Sequence, residues 1–383
     1  MLSFFLQKKK TANKDNFWLD DIKKQPRPKF HPLTISDIRR ETDECVSIAF
    51  DIPESLRDEY RFAAGQYLTL KTTIDGEEVR RSYSICSSPL DGELRVAVKK
   101  VTGGKFSTYA NEKLAVGQTL DVMTPQGNFT IPFKKDNAAQ YVMFAAGSGI
   151  TPIMSLIKTI LQFEPQSTVI LFYGNKAVST IIFKDELDDL KNTYLNRLEI
   201  HHILSREDQG TDWLKGRIDA QKVRLYAQKF FSPSAVAHYF ICGPEEMIHQ
   251  VKNTLTELGV SDKKVHFELF TSTTSPLEKK AVETSSVKGE ILSHVTVILD
   301  GEETHFDVSS KGISILDAAL DAGADVPFAC KGAVCCTCRA KVLEGKVVME
   351  MNYALDDDEV EQGYVLTCQS HPITERVVVS YDE

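Results

Sequence analysis

The sequence holds no run approaching the ~18 consecutive apolar residues that a membrane-spanning helix needs; its longest candidates are strand-sized, such as Tyr239 to Cys242 with its flanks. A secretory leader is not expected either. MLSFFLQKKK puts a five-residue apolar patch before its lysines, the reverse of a signal's order and too short for one. The expected location is the cytoplasm, and the plain reading of residues 1–29 is a disordered extension. Basic clusters are also lacking. The 383 residues carry 45 Lys+Arg against 54 Asp+Glu, a net charge of −9, and no stretch suits a nucleic-acid backbone. The imbalance is local: residues 291–383 hold six Lys+Arg against seventeen Asp+Glu, so an acidic carboxyl-terminal module sits on a nearly neutral body. With 42% hydrophobic and 26% charged residues, collagen-like, disordered and disulfide-scaffold classes are excluded. No internal repeat is visible.

Cysteine is sparse through most of the chain, where Cys45, Cys86 and Cys242 are scattered, but Cys330, Cys335, Cys336, Cys338 and Cys368 crowd into the last 54 residues. In a reducing compartment such a cluster reads as metal binding, not as disulfides.

The length is about two and a half times a typical domain of roughly 150 residues, which predicts two or three domains. Residues 30–136 alternate apolar and polar in short segments (CVSIAFDI, QYLTLKTTI, RRSYSICS, ELRVAVKKV) between Gly, Asp and Pro turns, predicting an antiparallel barrel. Across residues 137–270 strand-like and helical patterns mostly alternate, from YVMFAAG and TPIMSLIKTILQ to EEMIHQVKNTLTEL and VHFELF, predicting a doubly wound parallel sheet. Residues 271–290, with eight Ser/Thr, one Pro and no apolar periodicity, read as a flexible linker. Residues 291–383 open with the hairpin pattern HVTVILDGEETHFDV, continue with the short helix ISILDAALDAG and reach the cysteine loop.

The strongest motif is Cys330-x4-Cys335-x2-Cys338 followed by Cys368, the spacing of a plant-type [2Fe-2S] ferredoxin. Ferric iron and bridging sulfide demand soft anionic donors, and a tight loop lets several thiolates and backbone N–H groups converge. A structural zinc site is the alternative, although zinc sites usually pair short knuckles at both ends. Cys336 does not fit the register and reads as a bystander.

Other motifs are weaker one by one. Arg81-Ser82-Tyr83-Ser84 ends a strand and is followed by Gly103-Gly104-Lys105-Phe106-Ser107. An aromatic ring can stack on a flat heterocycle, a hydroxyl can bond a ring nitrogen, an arginine can pair a pyrophosphate, and a Gly-Gly turn exposes N–H groups to phosphate. A half-buried strand tyrosine and a solvated arginine are the plain alternatives. Gly147-Ser148-Gly149-Ile150-Thr151-Pro152 follows strand YVMF and opens a helix; its glycines permit a close phosphate approach, Thr151 is expected to cap the helix, and Pro152 suits the first turn. The third glycine of the dinucleotide fingerprint is absent. Ser205-Arg206 ends the third strand, where a hydroxyl and a guanidinium can hold a 2′-phosphate; a surface arginine is the alternative. Cys242-Gly243-Pro244 follows strand HYFI, where a cysteine can pack against a nicotinamide or be a plain buried strand residue. Glu268 and Phe270 end the unit in HFELF, and Phe270 taken alone is more often core than cofactor stack.

Together and in this order, these motifs resemble the ferredoxin–NADP reductase superfamily fused to a plant-type ferredoxin. The stretches FHPLTISDIRRET, DGEEVRRSYSICSSPLDGELRVAVKKVTGGKFSTYAN and above all CRAKVLEGKVVMEMNYALDDDEVEQGYVLTCQSHP carry the likeness, which covers residues 30–383. The resemblance implies a multidomain fold: an FAD-binding antiparallel β-barrel over 30–136, an NADPH-binding α/β parallel sheet over 137–270, a linker over 271–290 and an α+β β-grasp [2Fe-2S] module over 291–383. It implies that Arg81, Tyr83, Ser84, Gly103, Gly104 and Ser107 bind FAD, with Phe270 as a flavin contact. Gly147, Gly149, Thr151 and Pro152 would bind the NADPH pyrophosphate and ribose, with Ser205, Arg206, Gly243 and Pro244 completing the nucleotide site. Ser84, Cys242 and Glu268 would lie where hydride is transferred. Two departures stand out: the first 29 residues are longer than in relatives, and Cys336 stands where serine is commoner.

The implied activity is electron transfer from NADPH through FAD and the cluster to a separate oxygenase component, whose docking patch would be basic. Neither nucleic acid nor membrane is an expected partner. Two competing readings remain open at this point: the same electron chain serving another acceptor, and a non-catalytic sensor with zinc in place of the cluster. A brown-yellow protein would exclude the sensor.

Overall fold

The computed structural model describes residues 28–270 and 290–383; the expected extension and linker lie almost wholly outside them. The first unit consists of β1 (Phe30–Thr42), β2 (Cys45–Asp51), β3 (Tyr67–Ile74), β4 (Glu77–Ser84), β5 (Leu94–Lys99), helix α1 (Lys105–Glu112) and β6 (Thr119–Met123). Its strands pair antiparallel in the order β4-β3-β6-β1-β2-β5, and a bridge between Ile85 and Val96 joins the two edges into a barrel. The period-two pattern turns Leu33, Ile35, Val46, Ile48, Leu68, Leu70, Val96 and Val98 inward. Helix α1 adds Phe106 and Ala110 to the same core. Strands β3 and β4 are joined by Asp75-Gly76, both at positive φ (52° and 81°), as a tight two-residue hairpin turn demands.

The second unit follows as β7 (Gln140–Ala146), α2 (Ile150–Phe163), β8 (Thr168–Asn175), α3 (Lys184–Thr193), β9 (Leu198–Leu204), α4 (Ala220–Lys229), β10 (His238–Gly243), α5 (Glu245–Glu257) and β11 (Val265–Leu269). All five strands are parallel, in the order β11-β10-β7-β8-β9. Because helices cover both faces, β7 is a continuous apolar run buried along most of its length. The winding reverses between β7 and β10, which opens a crevice at their carboxyl ends.

Helix α2 is apolar on nearly all sides because it is wedged between sheet and barrel. Barrel residues Cys45, Cys86, Phe129 and Ile131 share one buried cluster with Ile153, Leu156 and Ile157 of α2. Polar ties reinforce the junction: Ser155 Oγ donates to the Ser87 carbonyl at 2.6 Å, and Lys158 Nζ pairs with Asp91 at 2.5 Å. The two units are thereby held at one angle.

The third unit is built from β12 (Leu292–Leu299), β13 (Glu302–Ser309), α6 (Ile315–Asp321), β14 (Arg339–Glu344), β15 (Val347–Met349), α7 (Asp357–Glu361), β16 (Tyr364–Leu366), β17 (Ser370–Pro372) and β18 (Arg376–Ser380). A mixed sheet, β13-β12-β18-β14-β16, grips α6 through Val295, Val297, Leu316, Ala319, Val377 and Val379. Ser314 caps α6 by accepting from the Asp317 N–H. This is the β-grasp arrangement. Among the described residues no helix is long and apolar enough to cross a membrane.

Candidate functional site

The end of barrel strand β4 meets the end of sheet strand β11. Ser84 Oγ donates to Glu268 Oε2 at 2.9 Å across that junction. Cys242 is the parallel neighbour of Glu268, set on β10, and is fully buried. Three residues far apart in the chain are thus brought together. Desolvation pushes the Glu268 carboxyl up to about 8, against a smaller opposing effect of the Ser84 hydrogen bond, so it is protonated at neutral pH. Burial also pushes the Cys242 thiol up, and the neighbouring Glu268 adds to the effect. With Glu268 protonated and Cys242 a neutral thiol, the junction carries no charge at neutral pH.

A cleft of about 820 Å³ opens beside it, lined by Gly147, Ser148, Ser205, Arg206, Gly243, Pro244 and Phe270. Phe270 leaves an aromatic ring 41% exposed at its mouth. Helix α2 starts after Gly149 with no side-chain cap; the Ile150 N–H turns back to the Gly147 and Ser148 carbonyls of the preceding 3-10 turn. The approach there is close: a Cβ on Gly149 would stand 2.1 Å from the Cys242 carbonyl oxygen.

One expectation is corrected here. Thr151 does not cap the helix; it lies inside the first turn, buried, with its hydroxyl donating to the Ser148 carbonyl at 3.0 Å. The glycine-rich stretch forms a 3-10 turn at Gly147–Gly149 that places the helix start two residues earlier than Thr151 as cap requires. Thr151 and its buried neighbour Pro152 therefore stand behind the cleft wall, while Gly147 and Ser148 line it. Lys99, Lys176 and Arg217 also line the cleft. Sequence reasoning missed them, since isolated cations in a strand end or loop carry no local signal and only the tertiary fold gathers them.

On the barrel side, the half-buried Tyr83 ring lies against Phe106 of α1, centroids 5.5 Å apart. Arg81 is exposed and spends one guanidinium N–H on the Arg80 carbonyl, leaving the others free. Gly103 and Gly104 lead into α1, again with no side-chain cap, and a Cβ on Gly104 would meet Ser107 Oγ at 2.5 Å.

In the third unit the cysteines stand as two pairs. Cys335 Sγ is 3.1 Å from Cys330 Sγ, and Cys338 is hydrogen-bonded to Cys368. Among the described residues no three metal-binding groups converge on a single-ion centre. The Gly332 N–H donates to Cys330 Sγ at 3.3 Å, and the Ala333 N–H points at Cys368. Lys331 and Ala333 adopt left-handed backbone (φ 52° and 61°), which turns these N–H groups inward. Cys336 points elsewhere, donating to the Ala354 carbonyl at 3.3 Å.

Three family models match in the same order as the three units: an oxidoreductase FAD-binding domain over residues 32–131, an oxidoreductase NAD-binding domain over 143–253 and a 2Fe-2S iron-sulfur cluster binding domain over 297–372. One component of the 1,2-phenylacetyl-CoA epoxidase of Escherichia coli K12 is 45% identical over 92% of this chain and 98% of its own length. The ferredoxin reductase component of the 3-ketosteroid-9-alpha-monooxygenase of Rhodococcus rhodochrous is 35% identical over 91% of this chain and 96% of its own. The chain belongs to this family of oxygenase reductases. Phthalate dioxygenase reductase shares its fold at a TM-score of 0.55, with 22% identity over 92% of this chain and 98% of that one.

The reductase is an NAD(P)H-dependent oxidoreductase that uses FAD and a [2Fe-2S] cluster, and its residues fit both groups. Two thiol pairs suit two irons, whereas one tetrahedral zinc would need all four thiols on one centre. N–H groups aimed at the sulfurs suit an anionic cluster. The uncapped α1 start, the exposed Arg81 and the Phe270 ring suit a pyrophosphate-bearing flavin.

Proposed function

We propose that this reductase draws electrons from NADPH and delivers them to the oxygenase part of an acyl-CoA epoxidase, with phenylacetyl-CoA as the compound oxygenated. The junction of Ser84, Glu268 and Cys242 beside the Phe270 cleft is the observation that carries the electron-transfer reading. The 45% identity to the Escherichia coli epoxidase component along nearly its whole length supports the choice of acceptor.

In this reading the module boundaries fall at 30–136, 137–270 and 291–383. Arg81, Gly103, Gly104 and Ser107 hold the flavin pyrophosphate, while Tyr83, Ser84 and Phe270 bound the ring. FAD held by these residues would supply two-electron acceptance with one-electron release, the chemistry that lets a nicotinamide serve a one-electron cluster. Gly147, Gly149, Gly243 and Pro244 let the nucleotide backbone approach, with Thr151 and Pro152 supporting the helix start from behind. Ser205 and Arg206 bind the 2′-phosphate. Protonated Glu268 and neutral Cys242 keep the nicotinamide pocket dry, and Ser84 orients the carboxyl. Cys330 with Cys335, and Cys338 with Cys368, each hold one iron. The acidic module faces a basic patch on the oxygenase. None of the eight cysteines forms a disulfide, which suits a reducing compartment such as the cytoplasm.

The test is reconstitution. The reductase, NADPH and oxygenase components that act on phenylacetyl-CoA are mixed, and oxygenated product is counted against NADPH consumed. Tight coupling is expected, with none when a 3-ketosteroid or glycine betaine oxygenase is substituted. Better coupling to either of those would assign the reductase to another acceptor.

A further inference from the structure

Tyr67 opens β3 and is the cross-strand partner of Ser84 in β4. Directly paired residues on antiparallel strands project from the same face. Ser84 reaches Glu268 in the nucleotide unit, and from the same face its partner reaches the ferredoxin unit: Tyr67 Oη shares a buried 3.0 Å hydrogen bond with Thr337 Oγ1, inside the cysteine loop. The Tyr67 ring is buried against Ala329, Cys330 and Cys335. One strand pair therefore touches both neighbouring units.

The barrel holds this side chain rigidly. The Tyr67 N–H donates to the Gln126 carbonyl at 2.8 Å, and the Gln126 N–H returns a bond to the Tyr67 carbonyl at 3.0 Å. Room for the ring exists because residue 127 is glycine; a Cβ there would stand 2.9 Å from Tyr67 Cδ1. Nearby, the Arg80 guanidinium lies 4.1 Å over the Phe328 ring, and Asn128 Nδ2 is 3.7 Å from Cys336 Sγ. A buried phenol stripped of its partner would be costly, so the Thr337 contact selects one seating of the loop over sliding alternatives.

We propose that Tyr67 is a positioning residue that seats the cluster loop against the flavin-side strand pair and so sets the distance between the two redox centres. The inference rests on the reading that Ser84 marks the flavin's reacting edge and that the Cys330–Cys338 loop holds the cluster. The phenol itself is neither oxidised nor deprotonated.

The experiment uses the full-length holoprotein, comparing wild type with Tyr67→Phe, Thr337→Val and the double variant. After rapid mixing with NADPH, flavin bleaching should be unchanged in all four. Cluster reduction should slow by up to about tenfold in each single variant, the extent to which one lost buried hydrogen bond can shift the loop away from its seated position, and no further in the double. Amide exchange across residues 329–338 should rise in parallel, while the cluster's EPR signature stays that of wild type. Wild-type cluster reduction and exchange in Tyr67→Phe would overturn the positioning role, as would additive losses in the double variant. A wild-type protein lacking the cluster's EPR signal would instead overturn the functional reading beneath it.

Discussion

Glu268 is the residue whose protonation the junction controls most directly. Its carboxyl titrates at about 8 because burial disfavours the charged form more than the Ser84 hydrogen bond favours it. Below that pH it is neutral; above it, a negative charge appears beside the buried neutral thiol of Cys242. NADPH oxidation by ferricyanide should therefore fall as pH rises through about 8. Glu268→Gln copies the neutral form, so it should keep the rate at pH 7 and lose the alkaline fall, whereas Glu268→Asp, too short to meet Ser84, should slow the reaction across the range. An unchanged alkaline limb in Glu268→Gln would place the titrating group elsewhere. The proposed role of Arg206 concerns a different property. A guanidinium on a 2′-phosphate contributes about 1.5 to 3 kcal/mol, or roughly ten- to a hundredfold. Arg206→Ala should erode NADPH preference over NADH by that factor in kcat/KM, and equal use of the two nucleotides by wild type would remove the assignment.

At the scale of elements, the cysteine loop and the start of α2 make the sharpest demands. Cys368 lies on a separate turn from the other three thiols yet pairs with Cys338, so Cys368→Ser should bleach the iron–sulfur absorbance and leave flavin bound. Cys336→Ser should retain both, because that thiol turns to the Ala354 carbonyl; the opposite pattern would reassign the ligands. Gly149→Ala should be severely damaging, since the new Cβ would collide with backbone of β10 and not with a movable side chain. Loss of nucleotide binding together with a lowered Tm is the expected measurement. These elements were largely legible in the sequence. Alternation and turn punctuation marked the barrel, the Asp300-Gly301 turn of the β12–β13 hairpin was part of a visible pattern, and cysteine spacing carried its own chemistry. Thr151 was misplaced because a threonine before a proline looks like a cap, and nothing local reveals that a 3-10 turn has already started the helix. Lys99, Lys176 and Arg217 were invisible because they become neighbours only through packing of distant segments. Tyr67 was hidden for a related reason: in an alternating strand, a tyrosine facing another domain reads like any half-buried one.

On the scale of the whole molecule, three folds solve one problem of electron number, and their contacts determine which parts are separable. The barrel and nucleotide units share a buried core through α2, so they should behave as one body. The ferredoxin unit meets that body around Tyr67, Arg80 and Asn128 of the barrel and through Val334 and Tyr353, which pack against the nucleotide unit's core. Separability follows. Cys335→Ala should abolish the cluster while leaving NADPH oxidation by ferricyanide largely intact, because that reaction needs only the flavin and nucleotide sites. Electron delivery to the oxygenase should vanish in the same variant, because the proposed route to the partner leaves through the cluster. Tyr83→Ala should impair both reactions, because loosening the flavin cuts the chain above the branch; a stacked aromatic contact is worth about 1 kcal/mol beyond burial. Measured side by side, the two variants separate a linear chain from a branched one. If the cluster-less protein supported substrate oxygenation at the wild-type rate, electrons would have to leave from the flavin directly, and the acceptor would have to dock on the barrel.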